Sequence, residues 1–67
     1  MNFSIESERE DDGRWIAEVI VMPGVLAYGA TRQEAIGRAE ALALRALAER
    51  IEHGETGPIA ISISVAA

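Results

Sequence analysis

The chain has no cysteine, which excludes disulfide staples and any thiolate metal site. Its one histidine, His53, leaves no ligand set for a structural zinc centre. Lysine is absent as well: six arginines stand against eleven acidic residues, for a net charge of −5. Nucleic-acid affinity rests mainly on phosphate neutralisation by basic side chains, so direct binding of nucleic acid is not expected. An acidic surface suits a basic protein partner, or serves solubility alone. No run approaches the roughly 18 apolar residues of a membrane span, and no basic stretch followed by an apolar one marks export. The chain is therefore expected in the cytoplasm, without membrane association.

What is present is one small domain, residues 1–67. A chain of this length buries only about 60% of its unfolded surface. Without a staple, its core supplies no more than about 3–5 kcal/mol net. With 49% apolar residues, self-association is the remaining route to stability.

Alternation over Asn2–Arg9, with Phe3 and Ile5 on one face, predicts a half-buried strand. Glu10-Asp11-Asp12-Gly13 supplies hairpin chemistry. Arg14–Met22 follows as a strand with apolar residues on both faces, Glu18 excepted, as a central strand requires. Pro23 and Gly24 fit the two central positions of a type II turn. Val25–Ala30 returns as a short strand. Thr31 and Glu34 form a capping box, the Thr31 hydroxyl taking the Glu34 amide and the Glu34 carboxylate reaching back to the Thr31 amide. A helix from Arg32 to His53 follows, roughly 30 Å long, with Gly54 placed to end it. After Pro58, Ile59, Ile61, Ile63 and Val65 alternate with Ala60, Ser62 and Ser64 as a last strand. The expected fold is α+β: a βββαβ unit whose four-stranded mixed sheet has the order 3-2-1-4, since a right-handed crossover sets the last strand parallel to the first. One helix covers one face, and the other face has no layer.

The run Arg14-Trp15-Ile16-Ala17-Glu18, then Met22-Pro23-Gly24, then Gly29-Ala30-Thr31-Arg32-Gln33-Glu34-Ala35 resembles the N-terminal domain of HicB-type antitoxins. That family's pattern is a Gly-aromatic-x-Ala-Glu strand, a Leu-Pro-Gly turn and a Gly-Asp-Thr-x-x-Glu-Ala helix start, and the match covers roughly residues 12 to 42. The matched positions are Trp15, Ala17, Glu18, Pro23, Gly24, Gly29, Thr31, Glu34 and Ala35, which define the fold more than they make contacts. Ile20, Val25 and Ala30 depart from the family's frequent proline, cysteine and aspartate. The resemblance implies a degenerate ribonuclease-H-like fold and a partner, a small basic HicA-type toxin that cleaves RNA. The family often carries a further C-terminal DNA-binding segment; none follows the last strand here, so DNA binding is not expected of this chain.

Two surfaces stand out. At about 100° per residue, Ala35, Ile36, Ala39, Leu42, Ala43, Ala46 and Leu47 form the helix arc facing the sheet. A second seam, Gly37, Ala41, Leu44, Ala48 and Ile51, repeats at four, three, four, three. It reads as a helix edge shielded by loops or as an oligomer interface. The interface is favoured, because Leu44 and Ile51 lie more than a quarter turn from the core-facing centre. The acidic run Glu6, Glu8, Glu10, Asp11, Asp12 reads as a solvated hairpin or as a docking patch for a basic partner; it lacks the spacing of a calcium loop.

His53 has no nucleophile near it in sequence and reads as a helix-end residue. Trp15 and Tyr28 read as core or interface and not as base-stacking residues. No catalytic residue, cofactor or metal is expected. The functional expectation is a non-enzymatic HicB-like antitoxin that neutralises its toxin by contact. The alternative is a stand-alone homo-oligomeric adaptor or ligand-binding domain with no toxin; in either case a homodimer or higher oligomer is expected.

Overall fold

The computed structural model describes residues 2–65. Its elements are β1 (Asn2–Arg9), β2 (Trp15–Val19), β3 (Leu26–Gly29), α1 (Arg32–Glu52) and β4 (Ser62–Val65). They form one mixed sheet in the order β3-β2-β1-β4, with α1 packed over β3, β2 and β1. Antiparallel pairing joins β1 to β2 and β2 to β3, while β4 runs parallel to β1 as the crossover rule demands.

Three strands are shorter than their runs predict: β3, expected over Val25–Ala30, spans Leu26–Gly29, and β2 and β4 are cut back further. The β2 run was expected to reach Met22 but ends at Val19, because the chain tightens into two successive turns. The Met22 amide donates to the Val19 carbonyl at 3.0 Å, and the Val25 amide to the Met22 carbonyl at 3.0 Å. Gly24 sits at φ +83°, as a type II turn requires. Met22 is thereby tucked into the core, while Ile20 and Val21 are left exposed. The β4 run was expected from Pro58 but starts at Ser62, which lies opposite Asn2 of β1.

The core consists of Phe3 and Ile5 of β1, Ala17 and Val19 of β2, Met22, and Ala35, Ile36, Ala39, Ala43 and Leu47 of the helix. Three of the five helix positions are alanine, so the helix lies close on the sheet. Gly29 makes that approach possible: a Cβ there would stand 2.6 Å from the Ala35 nitrogen. Leu42, expected in the core arc, is 38% exposed. It lies on the flank toward β3, a strand of only four residues. Ala46 is partly buried as the arc implies.

Both helix ends are capped. The Thr31 hydroxyl accepts from the Glu34 amide at 3.1 Å. The Glu34 carboxylate takes the Ala30 amide at 3.0 Å in place of the expected Thr31 amide, and also meets Arg38 at 3.2 Å. At the other end the Gly54 amide donates to Ile51 and the Glu55 amide to Arg50, with Gly54 at φ +71°. This is a Schellman motif, which satisfies carbonyls the helix leaves open. Thr31→Ala removes the N-cap acceptor and is expected to lower unfolding free energy by about 1 kcal/mol. Urea melts of the two proteins measure it, and Thr31→Ser should recover most of the loss.

Candidate functional site

A strand presents alternate residues to opposite faces. With Phe3, Ile5, Ala17 and Val19 turned to the helix, the residues between them form the uncovered face. These are Glu6 and Glu8 of β1, Ile16 and Glu18 of β2, and Leu26 and Tyr28 of β3. The register sets Glu6 directly opposite Glu18, and Glu8 opposite Ile16. Across the next pair, Ile16 meets Tyr28 and Glu18 meets Leu26. The face is thus an apolar strip of Ile16, Leu26 and Tyr28 bordered by carboxylates.

Like charges directly opposite on neighbouring strands destabilise a sheet. The Glu6–Glu18 pairing therefore works against the fold. Glu6, Ser7, Glu8, Glu10, Ile16 and Glu18 line a shallow depression of about 230 Å³. Small-molecule sites start near 300 Å³ and enclose most of their ligand. A shallow, carboxylate-lined hollow suits basic side chains projecting from another protein better than an enclosed organic ligand.

The predicted acidic run is divided by the structure. Glu6 and Glu8 lie on the uncovered face, and Glu10 reaches the rim of the depression. Asp11 is exposed in the hairpin turn. Asp12 is engaged within that turn: its Oδ1 accepts the Arg14 amide at 3.0 Å, and its Oδ2 meets Arg14 Nε at 2.7 Å. The Arg14 backbone N–H, and after it the guanidinium, hold the Asp12 carboxyl below the usual carboxylate range. The same guanidinium lies 4.6 Å from the centre of the Tyr28 ring. Asp12 thus shapes the hairpin more than it offers charge to a partner.

Glu18, Ile16, Leu26 and Tyr28 were not among the predicted docking residues. Glu18 was visible in the sequence as the one charged residue of its strand; that it faces Glu6 follows only from the register. Trp15 and Tyr28 point to opposite faces of the sheet, Trp15 packing on the core, so they form no stacking pair. His53 is exposed at the helix C-cap, where its amide donates to the Glu49 carbonyl at 2.9 Å.

Of the helix seam, Gly37, Leu44, Ala48 and Ile51 are exposed and Ala41 is half-buried. Among the described residues, no group of three or more His, Asp or Glu side chains is placed to hold a metal ion. Nor is any helix long and apolar enough to cross a membrane. No family model, curated protein or solved structure matches the chain.

Proposed function

We propose that this chain is a HicB-like antitoxin of the cytoplasm that binds a small basic, RNA-cleaving HicA-type toxin through the uncovered face of its sheet, by contact and without catalysis. The observation that carries this reading is the Glu6–Glu18 juxtaposition on an open face beside Ile16, Leu26 and Tyr28. Carboxylates that oppose the fold are explained by a cationic partner that neutralises them on binding. A toxin surface that holds RNA is basic by physical necessity, so it carries the charge this face is built to meet.

Electrostatic complementarity of this kind acts mainly on association rate and is screened by salt. The test takes a purified small basic HicA-type toxin and measures its association with this chain across a salt series. Glu18→Thr is the informative variant. It removes the like-charge opposition, so thermal stability should rise by a few tenths to about 1 kcal/mol. Capture of the toxin should slow, and more at low salt than at high. A variant that is stabilised yet binds at the unchanged low-salt rate would remove this face from the interface. No binding by the unmodified protein would hand the function to a toxin-free adaptor.

A further inference from the structure

We infer that the helix flank carrying Leu44 and Ile51, with the adjoining open face of β4, docks a second copy of this chain, helix against antiparallel helix. Leu44 and Ile51 are 42% and 40% exposed, and Ile61 and Val65 are 40% and 47% exposed. These groups lie on one side of the molecule. Arg38 reaches the Tyr28 carbonyl at 2.9 Å, and Ala35 lies against Gly29, so that side of the helix faces β3. At about 100° per residue, Leu44 and Ile51 fall on the flank opposite Ala35, toward β1 and β4. There Ile63 and Val65 continue the core face beside Phe3 and Ile5, yet α1 packs over β3, β2 and β1. The sheet is one helix short on that side.

The surface area agrees. The chain exposes 4522 Å², roughly a tenth more than the ~4,100 Å² expected of a folded monomer of its mass.

A second copy is the occupant because the flank is complementary to itself. A two-fold interface puts the same patch on both partners. Run antiparallel about position 46, the seam sets Leu44 opposite Ala48 of the second copy and Ile51 opposite its Ala41. Each large side chain then meets a small one, as close packing requires. Gly37 falls beyond the end of the facing helix. This two-fold runs across the helix pair and sets both sheets on the same side of it, so Leu44 and Ile51 of each helix come toward the two β4 faces while Ala41 and Ala48 lie on the outer side. Pairing of two β4 edges does not do this. It would hold the helices four or more strand spacings apart, about 19 Å, against the 8–10 Å of packed helices, and Leu44 and Ile51 would stay wet. The helix-paired dimer leaves both acidic sheet faces outside, so it stands whether or not the antitoxin reading does.

The absence of cysteine makes the test clean. Leu44→Cys with Ala48→Cys should form a disulfide-linked dimer on mild oxidation, whereas Glu18→Cys on the outer face should not. Sedimentation should show a dimer of the unmodified chain that strengthens with salt, because two copies of net charge −5 repel. Leu44→Glu should weaken it at least about tenfold with the circular dichroism spectrum unchanged; should that variant unfold, Ala48→Glu serves the same purpose at an exposed position. A 7.2 kDa species alone at high concentration overturns the inference. So does a dimer that survives both glutamate variants and crosslinks through Ser64→Cys on β4, which would mark edge pairing.

Discussion

Gly29→Ala is expected to remove much of the protein's net stability, although it adds a single methyl group. The added Cβ would stand 2.6 Å from the Ala35 nitrogen and 3.0 Å from both the carbonyl carbon and the Cβ of Glu34. These atoms belong mainly to the backbone of the helix's first turn and cannot swing aside. Relief requires lifting α1 from β3, which also disturbs the Thr31 cap. Overpacking costs roughly 1–3 kcal/mol or more, against a net stability of about 3–5 kcal/mol for a core of this size. Gly24→Ala is the comparison. Its Cβ meets open space, and only its φ of +83° resists substitution, at about 1–2 kcal/mol. Thermal melts followed by circular dichroism should rank Gly29→Ala well below Gly24→Ala. The reverse order would mean that the helix does not rest on Gly29.

Leu47→Ala carries the second large effect. Of the buried helix residues, only Ile36 and Leu47 have large side chains; the others are alanine. Leu47 is 2% exposed within the same cluster as Phe3, Ile5 and Val19. Truncating a buried leucine costs about 2–5 kcal/mol, because the cavity adds to the lost transfer energy. Leu42→Ala, at a position 38% exposed, removes the same atoms from a half-wet site, and about 1 kcal/mol or less is expected from the smaller area returned to water. Urea midpoints of the two variants give the contrast directly, and equal losses would put Leu42 back in the core.

That contrast marks where the sequence ceased to be legible. Helical periodicity located the core face but not its width, which depends on how far the short β3 reaches beneath the helix. The sheet order could be read because a right-handed crossover leaves β4 one place to go. The end of β2 could not, because Ile20 and Val21 look like strand residues, and the Val19–Met22 turn ends the strand there, leaving Ile20 a single bond to β1 through its amide and the Ser4 carbonyl at 3.2 Å. The candidate site shows the same division. Its charge was visible along Glu6–Asp12, but which carboxylates share a face is a matter of register. Pairing brings in Glu18, while Asp12 is drawn into the hairpin by Arg14.

The central claim is that the uncovered sheet face captures a basic protein partner. The most direct measurement is chemical-shift mapping of the isotope-labelled chain as a small basic HicA-type toxin is added. The account predicts the largest changes at Glu6, Glu8, Ile16, Glu18 and Tyr28, with Leu44 and Ile51 unmoved. Changes centred on the helix flank, with the signals of Glu6 and Glu18 left in place, would contradict it.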